Sequence, residues 1–111
     1  MGIVYVVQRH EHKVGGVWTA KYDLSDAERF GTLHYLLAGW EDPKNEDTVL
    51  RLADGLRHYA SRADHLLLIG NPVLIGLAVH FALNNDLQRS VSVLQWDPQR
   101  KQYEQIRIEA T

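Results

Sequence analysis

Residues 64–81 read DHLLLIGNPVLIGLAVHF and form the most hydrophobic stretch of the chain. The apolar run 66–69 is typical of a strand buried on both faces. Asn71 then provides a helix N-cap, and Pro72 takes the first helical position, where its missing N–H costs nothing. The run 73–83 is apolar nearly all round. We therefore expect a central strand followed by a helix that is covered on most of its sides.

A second strand is predicted C-terminal to this helix, at residues 91–96. Residues 97–101 form a polar turn, and residues 103–108 return as a final strand. A strand–helix–strand unit pairs its two strands in parallel through a right-handed crossover. The C-terminal half thus predicts a parallel pair extended by a hairpin.

The first strand of the N-terminal half is predicted at residues 3–7, which are β-branched or aromatic. A turn at Gly15 and Gly16 leads to residues 18–22, where apolar and polar side chains alternate. These features predict a hairpin whose second strand lies near the edge of the sheet.

Two helices are predicted between this hairpin and the central strand. Apolar residues keep helical spacing from Asp26 to Gly39, and Ser25 with Glu28 has the pattern of a capping box. Asn45 caps a second, amphipathic helix.

These elements predict a mixed α/β fold, that is, α+β with one mixed sheet. The sheet has about five strands in a single layer and packs with three helices, in the order β-β-α-α-β-α-β-β. A chain of 111 residues is the size of one ordinary domain, so we expect residues 1–111 to form a single globular domain.

Composition restricts the classes of partner and chemistry. A net charge of −2 and a pI near 6.3 disfavour nucleic-acid binding, which needs a basic surface. The absence of cysteine excludes disulfides, thiol catalysis and cysteine-ligated zinc. The apolar run at residues 3–7 is too short for a signal peptide or a membrane span, so we expect a cytoplasmic protein without membrane contact.

The first candidate site is the turn Gly70-Asn71-Pro72 with Val73. Backbone N–H groups at a helix start favour an anion, and ligands of open α/β sheets bind beyond the carboxyl ends of strands. A nucleotide or another small anion would suit this position. The turn lacks the spacing of a P-loop or a dinucleotide fingerprint, and a capped helix after a buried strand explains the same residues.

The second candidate site is centred on Trp40, a large aromatic residue in a polar connection. Core packing explains a tryptophan in a strand, whereas one in a polar loop is a candidate anchor for a protein partner. Glu41, Asp42, Glu46 and Asp47 lie beside it and suit a basic partner surface, although a solvated loop and helix start explains them as well.

Other patterns give no defined chemistry. His10 and His12 could face one side of a strand as metal ligands, but no third ligand is evident, so we predict neither a metal nor a cofactor. His65 beside Asp64 could be an acid–base pair, although adjacent strand residues face opposite ways. No nucleophile and base are brought together by spacing around the serines, and we assign no catalytic residue.

The segments at residues 64–78 (DHLLLIGNPVLIGLA) and 92–97 (SVLQWD) resemble parts of small proteins encoded by tailed bacteriophages. This resemblance implies a binding role, because small phage accessory proteins commonly bind a host or defence protein. A small-ligand binder that uses Gly70 to Val73 is the alternative, and a hydrolase that uses metal at His10 and His12 is a third. The apolar third helix also indicates a possible homodimer.

Overall fold

The structure is a computed structural model that describes residues 2–20 and 23–110. A short hairpin is inserted after the first strand, strands and helices then alternate, and the last two strands form a second hairpin. In chain order they are β1 (Ile3–Gln8), β2 (Glu11–Val14), β3 (Val17–Ala20), a 3₁₀ helix (Ser25–Phe30), β4 (Thr32–Leu37), α1 (Glu46–Gly55), β5 (His65–Leu67), α2 (Pro72–Asn85), β6 (Ser90–Asp97) and β7 (Gln102–Glu109).

The main sheet has five strands in the order β4-β1-β5-β6-β7. The first four strands of this order are mutually parallel, and β7 pairs antiparallel with β6. The predicted mixed five-stranded sheet with three helices is confirmed, as is the parallel crossover from β5 through α2 to β6. Numbered along the chain without the inserted hairpin, the strands follow the order 2-1-3-4-5 of flavodoxin-like doubly wound sheets.

The prediction of one helix from Asp26 to Gly39 is wrong. A 3₁₀ helix ends at Phe30, and β4 then pairs with β1 in the register Ile3↔Thr32. Apolar residues in β4 also alternate with a period of two, so the same sequence suits a strand once β1 offers it a partner.

The predicted capping box is also wrong, because Ser25 is not the N-cap of the 3₁₀ helix. Leu24 occupies the N-cap position without a side-chain hydrogen bond, and the Ser25 N–H donates to the Asp23 carboxylate at 3.0 Å. The Asp26 carboxylate instead accepts a hydrogen bond from the Tyr103 N–H at 2.6 Å. The start of this helix is therefore tied to β7.

The predicted glycine turn is confirmed, but the strand pairing predicted around it is wrong. Gly15 and Gly16 have φ angles of 56° and 82°, as a two-residue hairpin turn requires. The turn joins β2 to β3 in a separate two-stranded sheet. β1 cannot join this hairpin because β4 and β5 occupy its two sides. Tyr22, the end of the predicted strand, lies outside the described residues.

Each face of the sheet buries one apolar core. Tyr5 and Val7 of β1 point into the core beneath α1 and α2, where Leu52, Leu74 and Ala78 are fully buried. The intervening β1 residues contribute to the opposite core, which includes Ala27 of the 3₁₀ helix. β1 is thus buried on both faces and hydrogen-bonded to a strand on each edge. Its carboxyl end is therefore held firmly beside the loops that follow β4 and β5.

Candidate functional site

Gln8 ties together two loops at the carboxyl end of β1. Its side chain is 5% exposed, and its Oε1 accepts a hydrogen bond from the Asn71 N–H at 2.8 Å. Its Nε2 lies 2.9 Å from the carbonyl oxygen of Glu41, 3.1 Å from that of Ala38 and 3.3 Å from that of Gly39. One amide side chain therefore fixes the β4–α1 loop to the start of α2. It does so between β1 and β5, where strand connections diverge and where sheets of this order bind ligands.

Trp40 projects from the loop that Gln8 holds. Its residue surface is 77% exposed, whereas Glu41 is only 8% exposed. The Glu41 carboxylate accepts a hydrogen bond from the Ala38 N–H at 2.7 Å and forms an ion pair with Arg51 of α1. A hydrogen-bonded turn thus presents a large aromatic side chain to solvent.

The acidic residues near Trp40 divide into two groups. Glu41 points inward and is held by Ala38 and Arg51, so its carboxylate is not displayed to a partner. Asp42, Glu46 and Asp47 are exposed around the start of α1. The predicted cap of α1 is confirmed, since the Asn45 side chain accepts from the Asp47 N–H at 2.9 Å.

The predicted ligand turn forms the capped start of α2. The Asn71 side chain accepts a hydrogen bond from the Val73 N–H at 2.8 Å, which confirms the predicted cap. The Asn71 N–H itself donates to Gln8, and Pro72 has no N–H. Gly70 has a φ of 133° and approaches Gln8 so closely that a Cβ would lie 2.5 Å from the Gln8 Cβ. Intramolecular contacts thus use the donors of Asn71 and Val73.

A cleft of about 940 Å³ opens beside Gly70. β5 ends at Leu67, and its pairing with β6 ends there, opposite Leu94. Trp96, Tyr103 and Lys101 line the β6–β7 side of the cleft. The cleft therefore lies at the carboxyl ends of parallel strands and combines an aromatic wall with charged side chains.

Trp96 is less buried than a core tryptophan. It is 44% exposed, and its ring meets that of Tyr103 edge-on at 5.1 Å between centroids. Core packing, the expected explanation for a tryptophan in a strand, therefore accounts for Trp96 only in part. The Trp18 side chain lies outside the described part of the structure.

The histidine side chains that the structure describes form no metal site. In the described residues no group of three His, Cys, Asp or Glu side chains could hold a metal ion. His10 is exposed and lines the cleft, whereas the His12 side chain is not among those described. His80 is exposed and hydrogen-bonded to Asn84 at 3.0 Å.

A polar cluster that the sequence analysis missed lies at the amino end of the sheet. Asp86 is 7% exposed, and its carboxylate accepts hydrogen bonds from the Ser61 N–H at 2.8 Å, the Ser61 hydroxyl at 2.9 Å and the Ser90 N–H at 3.1 Å. Burial opposes ionisation of Asp86, but these donors outweigh it and hold its pKa below the ordinary value. Arg107 of β7 reaches the Ser90 hydroxyl at 2.9 Å.

His65 and Ser92 also meet in this region, with 2.7 Å between Nδ1 and Oγ. Ser92 is fully buried, so its hydroxyl cannot meet a substrate in this conformation. Burial lowers the pKa of His65, and the Asp64 carboxylate opposes this shift. Tyr59 accepts from the Ser92 N–H at 2.9 Å, and burial raises the pKa of Tyr59 to about 12. The contacts of this group join the α1–β5 loop, β5 and β6.

The period-two spacing of Ser90 and Ser92 on β6 is the signal that could have indicated this cluster. A strand places residues two apart on the same face, but the sequence does not show which loop supplies the acidic partner. The fold brings Asp86 and Ser61 to this face from two different loops.

The strand order, the hydrogen-bonded loops and the cleft define an α+β fold with one mixed five-stranded sheet, whose exposed loop and cleft lie at the carboxyl ends of the parallel strands. The chain belongs to the family described as Phage Pam3 gp32-like protein, whose model matches residues 2–110. It is therefore a phage protein, as the resemblance implied. No curated protein and no solved structure matches the chain. Within the described ranges, no helix has the length and apolar character needed to cross a membrane.

Proposed function

We propose that this phage protein binds another protein through the surface around Trp40. The observation that supports this proposal is a 77% exposed tryptophan on a loop whose neighbouring backbone is hydrogen-bonded to buried Gln8. Tryptophan is enriched among residues that dominate binding energy. Because Gln8 already fixes the loop, a partner would not have to order it, and this reduces the entropic cost of association.

The charges near Trp40 favour a basic partner surface. Asp42, Glu46 and Asp47 are exposed beside it, and Lys44 is the exposed cation of the same loop. Complementary charge increases the rate of encounter and selects the orientation of docking. Since the chain belongs to a phage family, the partner that we propose is a host or defence protein.

An affinity pull-down from host lysate, with partners identified by mass spectrometry, tests this function. We expect the wild-type protein to retain a specific host protein that a Trp40→Ala variant loses. Calorimetry with the purified partner should then show a dissociation constant at least tenfold higher for the variant, which corresponds to a loss of about 1.4 kcal/mol or more in binding free energy.

Leu87→Ala is the matched control for this experiment. Leu87 is 98% exposed but lies after α2, near the amino end of β6, away from the Trp40 loop. The control should bind as the wild type does. If Trp40→Ala and Leu87→Ala retained the partner with equal affinity, the Trp40 surface would not be the binding site.

The cleft beside Gly70 supports a second candidate function, the binding of a small ligand such as a nucleotide. Its volume of about 940 Å³ suits a small organic molecule, and it lies at the carboxyl ends of the parallel strands β5 and β6. Trp96 could stack on a planar ring, and Lys101 could pair with a phosphate group. The ligand would approach Gly70 from the cleft, since the Asn71 and Val73 N–H groups already have acceptors.

Titration of ¹⁵N-labelled protein with ATP and with inorganic phosphate tests this second function. Binding in the cleft predicts amide shift changes at Gly70 and Gln95 with ATP, which a Lys101→Ala variant reduces. Shift changes that are absent, or that do not depend on Lys101, would contradict this candidate.

A further inference from the structure

β7 forms an edge of the main sheet, and only its first part is covered. The Asp26 carboxylate accepts from the Tyr103 N–H at 2.6 Å, and the Arg29 guanidinium donates to the Tyr103 carbonyl oxygen. These two side chains of the 3₁₀ helix thus hydrogen-bond the N–H and C=O groups of Tyr103 that point away from β6. A partner strand therefore cannot extend over this part of β7.

The rest of β7 presents free backbone groups along its outer side. The Ala110 N–H donates to the Arg89 carbonyl oxygen at 2.9 Å. The backbone N–H and C=O groups of even-numbered residues in β7 therefore point toward β6, and those of odd-numbered residues point away from it. Within residues 2–20 and 23–110, β6 is the only strand paired with β7, and no hydrogen bond is made by the outward backbone groups of Gln105, Arg107 and Glu109. Such an edge can accept a further strand.

We propose that a second copy of this chain pairs with this edge, β7 against β7 in antiparallel orientation, about a two-fold axis at Ile108. Arg107 and Glu109 of one chain lie 3.4 Å apart as an ion pair. In this register Arg107 also lies opposite Glu109 of the other copy, and the symmetric pair repeats the contact, so the four charges alternate in sign across the axis. Opposite charges directly across a pair of strands are favourable. Both residues point their backbone groups outward, so they also form the hydrogen-bonded pairs of the new ladder.

The side chains on the α2 side of β7 fit the same register. Ile106 and Ile108 are each 41% exposed, which is unusual for isoleucine in a sheet. With the axis at Ile108, this residue meets its own symmetry copy, and Ile106 meets Ala110 of the other copy. The pairing thus covers apolar surface that one chain leaves in water and continues the sheet from five strands to ten.

Other symmetric registers of β7 are disfavoured by charge or by the 3₁₀ helix. An axis at Arg107 or at Glu109 places like charges directly opposite each other. An axis at Ile106 brings Tyr103 against the partner strand, although its outward groups are held by Asp26 and Arg29. The opposite edge strand, β4, reads TLHYLL and offers no pair of opposite charges.

Charge reversal tests the proposed dimer, with the mass measured by size-exclusion chromatography and light scattering. The wild type should show twice the 12.7 kDa of one chain at micromolar to millimolar concentration. Glu109→Arg should raise the dimer dissociation constant at least tenfold, because each Arg107 then faces an arginine. The double variant Arg107→Glu with Glu109→Arg should restore dimerisation.

Glu104→Arg is the matched control, since it makes the same change in charge on β7 outside the paired residues. Circular dichroism spectra should show that all variants are folded. A folded wild type that is monomeric throughout the concentration range would overturn the proposal. The proposal would also be overturned if Glu104→Arg weakened the dimer as strongly as Glu109→Arg does.

Cysteine cross-linking determines the register, because the natural chain contains no cysteine. Residues directly opposite in a non-hydrogen-bonded pair have Cα atoms about 4.5 Å apart, within the range that a disulfide spans. Oxidation of an Ile108→Cys variant should therefore give a covalent dimer, whereas Ile106→Cys should not. A dimer linked efficiently through position 106 and not through 108 would refute the axis at Ile108.

Discussion

Gln8→Leu is the substitution that most directly tests how the candidate site is held together. Leucine has a volume close to that of glutamine and can fill the buried position, so the change removes hydrogen bonds while leaving only a small cavity. It deprives the Asn71 N–H of its acceptor and the Glu41 carbonyl oxygen of its donor. The two loops at the carboxyl end of β1 then lose the side chain that joins them.

The expected loss in the free energy of unfolding is about 2–4 kcal/mol. A buried polar group left without a partner costs about 1–3 kcal/mol, and the Glu41 carbonyl oxygen becomes such a group. The Asn71 N–H belongs to an exposed residue, so water can replace part of its lost bond and its contribution lies near the lower bound. A loss of this size is a large fraction of the stability of an ordinary domain.

Urea unfolding followed by circular dichroism gives this free energy, and hydrogen exchange locates the effect. The amide of Asn71 should exchange faster in Gln8→Leu than in the wild type. Gln95→Leu makes the same chemical change at an exposed position of β6 and should alter stability by less than about 0.5 kcal/mol. If Gln8→Leu cost no more than Gln95→Leu, the two loops would not depend on Gln8.

Two further predictions concern the polar cluster and the cap of α2. The hydrogen bonds that lower the pKa of Asp86 stabilise the fold fully above about pH 4, the ordinary carboxyl pKa. This stabilisation is lost as the pH falls through the lower pKa that Asp86 has in the folded protein. Asp86→Asn should therefore be less stable than the wild type at pH 7 and lose less stability on acidification, as urea titrations across this pH range would show; parallel curves would contradict this account. Asn71→Ala should cost about 1 kcal/mol through the lost cap. Asn84→Ala, at an exposed position of the same helix, should not destabilise the protein in the same thermal unfolding assay, and equal losses would argue against the cap.

The sequence was most informative where an element's pattern has only one structural solution. The apolar run that contains Leu66 and Leu67 is too short for a separate helix and too hydrophobic for an exposed strand, and it forms the buried strand β5. Asn71 and Pro72 define the start of α2 through local chemistry that needs no distant partner.

The candidate sites were predictable only as positions in the chain. The sequence identified Trp40 because a tryptophan in a polar loop is unusual, but its exposure depends on how Gln8 and Arg51 hold the loop. Gln8 lies 32 residues before Trp40, so no local pattern connects the two. The cleft beside Gly70 likewise brings together residues of β5, β6 and β7, whose pairing no local pattern shows.

The sequence by itself determined the central crossover, the N-caps of α1 and α2 and the C-terminal hairpin, because local spacing and turn chemistry specify them. Tertiary structure decided that residues 32–37, whose sequence suits both a helix and a strand, form the strand β4. β1 offers this segment a parallel partner, and a Cβ at Gly31 would lie 2.5 Å from the Gly2 carbonyl oxygen, so a glycine permits the close approach. The reason is physical: backbone hydrogen bonds within a helix are local, whereas those of a strand depend on a neighbour that is distant in sequence.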